Sequence, residues 1–121
     1  MAITHEKVRA LVLGFPGTEE GTSYGHPSFK AFGKFLTRIR AEDDSLVITG
    51  VGFDEREMLM EVDPDTFHIT PHYKDYPAVL ARLSNVDPDW LKSVLERRWR
   101  KCAPKKLLKD LDAQTRITSA P

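Results

Sequence analysis

The sequence predicts an α+β fold in which a single antiparallel β-sheet carries the terminal helices packed on one face. Three observations lead there. Apolar residues follow helical spacing near both ends of the chain, β-branched and aromatic residues cut by turn signals fill its middle, and 121 residues with 40% apolar composition suffice for one core without metals or disulfides.

Thr4 is placed to cap a first helix whose apolar positions Val8, Leu11, Val12 and Phe15 keep the i, i+3, i+4, i+7 spacing, with Gly14 and Pro16-Gly17 ending it. From Gly21 to Gly52 the β-formers Tyr24, Phe29, Phe32, Phe35, Ile39, Val47, Ile48 and Val51 alternate with turn material at Gly25-His26-Pro27, Gly33-Lys34 and Ala41 to Ser45, an antiparallel meander. Two registers fit it, since a turn over Gly33-Lys34 and one over Phe32-Gly33 bury different residues. Asp54 with Glu57 three residues on resembles a helix-capping pair, and Met58, Leu59 and Val62 form a short stripe that Asp63-Pro64 stops. Phe67 to Thr70 and Ala78 to Leu83 read as two more strands. Asp87-Pro88 opens the clearest helix, with Leu91, Val94, Leu95, Trp99 and Cys102 on one side and a break at Ala103-Pro104. Leu107, Leu108 and Leu111 mark a last short helix. The expected organisation is one domain over residues 1–111 and a flexible tail over 112–121.

Lysine and arginine equal aspartate and glutamate at 18 each, so the whole molecule has no long-range reason to seek polyanions. The charges are nonetheless sorted: Lys92, Arg97, Arg98, Arg100, Lys101, Lys105, Lys106 and Lys109 crowd one segment, whereas Asp54 to Asp65 is acidic. The single cysteine, Cys102, excludes an internal disulfide, and neither a signal sequence nor a run of about 20 apolar residues is visible. A cytoplasmic protein without a membrane partner is expected.

Catalytic and metal patterns are weak. Pro71 between His68 and His72 breaks the helical spacing that would face both rings at one metal. Ser23 and His26 lack a nucleophile-elbow pattern and an orienting acid, and GFPGTEEG and TGVGF match neither phosphate loop nor dinucleotide fingerprint. The acidic run reads as a solvated face. No catalytic residue, metal or cofactor is expected, and the chain reads as a non-enzyme.

Two basic elements carry more weight. Lys30, Lys34, Arg38 and Arg40 lie in a Phe-rich hairpin, where they either contact phosphates or protect a solvated strand edge. Arg97, Arg98, Arg100 and Lys101 either bind phosphates too or form the wet face of an amphipathic helix. In the phrase TPHYKDYP, Pro71 and Pro77 restrict the backbone and so preorganise His72, Tyr73 and Tyr76, either to lock a strand crossing or to stack on a ligand.

The segments LGFPGTEEGTSYGHPSFKAFGKFLTRI and FDEREMLMEVDPDTFHITPHYKDYPAVLARL, followed by Trp99-Arg100 and Ala103-Pro104, resemble the MmcQ/YjbR-like family of small bacterial proteins over about residues 5 to 110. Phe15 stands where leucine is usual. The resemblance implies a CyaY-like α+β fold, similar to frataxin in outline, and a DNA-binding role with a double-wing arrangement. Carried over by position, the contact groups are Tyr24, His26, Ser28 and Lys30 before the hairpin, Lys34 at its turn, and His72, Tyr73 and Lys74 in the proline-bounded loop. Frataxin similarity also raises iron binding, which ranks below DNA because the acids fall mainly on the second helix. The leading expectation is a non-enzymatic DNA-binding protein in which Lys30, Lys34, Arg38, Arg97, Arg98, Arg100 and Lys101 meet phosphates while Tyr24, His26, Ser28, His72, Tyr73 and Lys74 approach a base or ligand. The alternative is a small-molecule or peptide-binding module with its pocket around the SYGHP and TPHY segments, and a protein-interaction adaptor is a third class.

Overall fold

A computed structural model of the chain describes residues 3–23 and 26–119, with side chains for residues 3–22 and 27–113. Along the chain come α1 (His5–Leu13), β1 (Thr18–Ser23), β2 (His26–Ala31), β3 (Lys34–Arg40), β4 (Ser45–Thr49), α2 (Phe53–Val62), β5 (Phe67–His68), a 3-10 turn (Pro71–Tyr73), β6 (Ala78–Arg82), α3 (Pro88–Cys102) and α4 (Lys105–Ser119). The strands form one antiparallel sheet in the order β1-β2-β3-β4-β6-β5. The expected α+β architecture is therefore present. Among the described residues no helix is long and apolar enough to cross a membrane.

Thr4 caps α1 by accepting from the Lys7 amide, and the Asp87 carboxylate caps α3 by accepting from the Asp89 amide. Leu91, Val94, Leu95, Trp99 and Cys102 of α3 are all buried, as their spacing predicts. They join Val8 and Val12 of α1 and Phe29, Ala31, Leu36, Ile39, Leu46, Ile48, Val79 and Ala81 of the sheet in one core. Because strand side chains alternate, Ser28, Lys30, Val47, Thr49, Ala78 and Leu80 turn to the far face, away from α1 and α3. Trp99 ties α3 to the N-terminal turn: its indole Nε1–H donates to the Pro16 carbonyl at 2.8 Å and its ring stacks on Phe15.

The hairpin ambiguity resolves to a turn over Phe32-Gly33. Both residues have positive φ, 52° and 80°, and Ala31 pairs with Lys34 across the turn. Within the hairpin the partner of β2 shifts from Thr37 at Phe29 to Phe35 at Lys30, so Leu36 is an extra residue on β3. Hydroxyls repair the interrupted ladder, Thr37 Oγ1 donating to the Val47 carbonyl at 2.7 Å and Thr49 Oγ1 to that of Leu36 at 3.2 Å.

Several expectations need correction. Gly52 precedes α2 without a side-chain cap, and Asp54 and Glu55 lie inside its first turn. Met58 and Val62 are 54% and 78% exposed, and the buried residue of α2 is Arg56. Strand β5 stops at His68 rather than Thr70, and α4 continues to Ser119 through a stretch expected to be a loose tail.

Candidate functional site

Loop 70–77 lies over the far face of the sheet, and backbone bonds fold it tightly. Pro71 starts the 3-10 turn, the Tyr73 amide donates to the Thr70 carbonyl at 2.9 Å, and the Tyr76 amide to that of Tyr73 at 3.2 Å. The loop is also gripped from outside. Arg56 Nη1 donates to the carbonyls of Tyr73 at 3.0 Å and Tyr76 at 2.9 Å and reaches that of Ala78 at 3.4 Å, while Nη2 donates to Lys74 at 3.0 Å. Arg56 is 7% exposed and its guanidinium lies over the Phe53 ring. Loop carbonyls that would otherwise need water are thus satisfied by one rigid cation.

The sheet fastens the other side of the loop. Arg38 Nη2 donates to the Tyr73 hydroxyl at 2.8 Å, and the Arg40 guanidinium stands 5.8 Å from the centre of the Tyr73 ring. The His72 ring meets Tyr73 edge-on at 4.9 Å between centroids, and Tyr76 lies 5.9 Å from His72. Between these rings and the sheet runs a groove of about 250 Å³ lined by Phe35, Arg38, Val47, Thr49, His72, Tyr73, Tyr76 and Ala78. Tyr73 is thus locked to the sheet, as one expectation for the loop had it, while His72, Lys74 and Tyr76 are exposed.

Behind Tyr73, Arg40 pairs with Glu42 and Asp43 at 3.4 Å, and His68 Nε2–H donates to Asp43 Oδ2 at 2.9 Å. The Arg40 Nε–Asp43 Oδ1 contact is an ion pair lacking hydrogen-bond geometry, since both atoms are buried without a hydrogen-bond partner. Burial pulls the Asp43 pKa upward, but the His68 hydrogen bond, the Arg40 charge and a Ser45 hydrogen bond together outweigh it and hold the carboxyl below its ordinary 3.8. No group of three or more potential metal ligands occurs among the described residues.

The expected cations divide between two faces. Lys30 is exposed on the far face directly across from Phe35, with Glu19 opposite it on β1, and Arg38 pairs with Ser28, which is 7% exposed. Lys34 is exposed at the hairpin end, across from core-facing Ala31. The α3 cations lie on the covered side of the sheet and are largely committed to internal partners. Arg97 binds Glu55 through two bonds of 3.1 and 3.2 Å, Arg100 pairs with Asp112 at 3.3 Å, and Arg98 donates to the Phe35 carbonyl at 3.0 and 3.3 Å. Arg98 thus spends its guanidinium on the protein backbone, and of the four Lys101 is the one that is exposed with no ion pair among the described residues. Tyr24 and the His26 side chain lie outside the described residues. Sequence reasoning missed Arg56, whose sole signal was an arginine at a position facing away from the expected stripe of α2.

The family model YjbR matches residues 13–101. Among curated relatives, uncharacterized protein Mb2600 of Mycobacterium bovis and uncharacterized protein Rv2570 of Mycobacterium tuberculosis are each 29% identical over 119 residues, covering 87% of this chain and 92% of theirs. No solved structure matches the chain.

Proposed function

The chain belongs to the YjbR family, and from that premise we propose that it is a non-enzymatic DNA-binding protein that works through the far face of its sheet and loop 70–77 rather than through α3. The observation that carries this reading is the division of cations just described. Lys30 is exposed on the far face and Lys74 on the loop that carries the preorganised rings, whereas Lys34, paired with Ala31 at the hairpin end, belongs to the covered side. Most α3 cations, in contrast, already hold protein oxygens. Neutrality at 18 charges of each sign favours weak, contact-range binding over long-range attraction.

Two phosphate contacts, from Lys30 and Lys74, give a log-log slope of affinity against salt near about −1.8 on duplex DNA and about −1.4 on a single strand. A salt titration measures it. Lys30→Ala and Lys74→Ala are each expected to flatten the slope by about one contact, and Lys101→Ala to leave it unchanged. Absence of binding, or binding indifferent to salt, contradicts the reading.

The groove favours a second reading, uptake of a small planar ligand. Ligand-induced thermal stabilisation would then vanish in His72→Ala and persist in Lys34→Ala, whose side chain does not line the groove.

A further inference from the structure

We propose that the groove beneath loop 70–77 receives one unstacked base of single-stranded DNA, so that this protein prefers single strands to duplex. The inference rests on the DNA-binding reading and names the form of DNA that the site takes.

Size comes first. At about 250 Å³ the groove falls below the range of roughly 300–1,000 Å³ usual for pockets that enclose drug-sized ligands, which suits one ring system rather than an extended molecule. Its walls suit a flat occupant: Phe35, His72, Tyr73 and Tyr76 present rings, while Val47 and Ala78 form an apolar floor. Arg38 and Thr49 add polar groups that can address a base edge.

The backbone of such a strand would have cations to follow. Lys30 stands directly across from Phe35 in the ladder, so it sits beside the groove, and Lys74 rises from the loop that roofs it. Aromatic stacking between basic flanks is the general device by which proteins hold single strands. A duplex keeps its base faces stacked inside and cannot offer one to this groove without unpairing.

The loop backbone and Tyr73 need no ordering when the base arrives. Arg56 fixes the loop carbonyls and Arg38 fixes Tyr73, so the groove exists before binding. His72 and Tyr76 are exposed, which makes them removable without loss of core packing.

The test compares a labelled oligothymidine, an abasic strand of equal length and a duplex of equal charge by fluorescence anisotropy at fixed salt. The single strand is expected to bind about 5- to 150-fold more tightly than the abasic strand, the factor a stacked base supplies. Tyr76→Ala, His72→Ala and the groove-filling Ala78→Leu should erode that advantage over the abasic strand. Tyr76→Ala and His72→Ala should keep the wild-type melting temperature, so a loss there is not misfolding. Equal affinity for base-bearing and abasic strands, or variants that bind the single strand as wild type does, overturns the inference and leaves the DNA-binding reading in place. Binding to no oligonucleotide overturns both.

Discussion

Helix α3 and loop 70–77 are both conspicuous in the sequence, one for its cations and the other for its prolines and rings, and the fold uses them in opposite ways. On α3 the arginines point at protein oxygens: Arg97 at Glu55, Arg98 at the Phe35 carbonyl, Arg100 at Asp112. On the loop the reverse holds. An arginine from elsewhere, Arg56, satisfies the backbone so that the side chains of His72, Lys74 and Tyr76 remain outside. A run of basic residues therefore says little about a binding surface until its internal partners have been subtracted.

The largest expected effect lies on the loop. Arg56→Met keeps much of the stem but removes the donors to four carbonyls, and should destabilise the fold by roughly 2–4 kcal/mol in urea denaturation, with amides of residues 73–78 losing hydrogen-exchange protection first. Arg56→Lys should recover only part, because an ammonium cannot reproduce the planar fork. Protection unchanged in that segment would break the link between Arg56 and the loop.

Next comes the anchor of α3. Gly17 has φ of 72°, and a Cβ there would overlap the Phe32 ring, which itself lies 6.3 Å from the Trp99 ring. Gly17→Ala should cost more than about 1 kcal/mol of stability and lower the melting temperature measurably. Within α3 the two neighbouring arginines should separate. Arg98→Ala leaves the part-buried Phe35 carbonyl without this donor and should cost about 1–2 kcal/mol, whereas the more exposed Arg97–Glu55 pair should be worth less than about 1 kcal/mol in a double-mutant cycle.

The smallest effect is acid-dependent. Asp43 has a folded-state pKa below its ordinary 3.8, so its contribution to stability is present above that value and is lost as pH falls through the folded pKa. Unfolding of wild type and Asp43→Asn should accordingly differ at neutral pH and converge in acid. A gap that widens below pH 3.8 would mean that Asp43 is not held ionised by His68 and Arg40.

How much of this was readable follows from where the partners sit in the chain. Helix α3 was legible because its cap, Asp87, and its buried stripe are local features. The turn at Phe32-Gly33 was not, since two registers one residue apart satisfied the same pattern and only pairing of Ala31 with Lys34 chooses between them. On α2 the apolar stripe pointed to Met58 and Val62, yet Arg56 is buried. Its acceptors lie in residues 73–78, beyond the reach of any helical periodicity, and they include carbonyls that no side-chain pattern encodes. The proline-bounded loop could be recognised as preorganised, while the identity of its clamp required three-dimensional contacts. The sequence places Lys30 and Arg97 each among other basic residues, and only the sheet separates their faces.

Backbone-amide shift mapping during titration with single-stranded DNA tests the central division most directly. Perturbations are expected along Ser28 to Lys30, Phe35 to Arg38 and His72 to Ala78, with the exposed positions of Lys92 to Lys101 silent. Perturbations concentrated on Lys92 to Lys101, with the groove residues unmoved, would contradict the account.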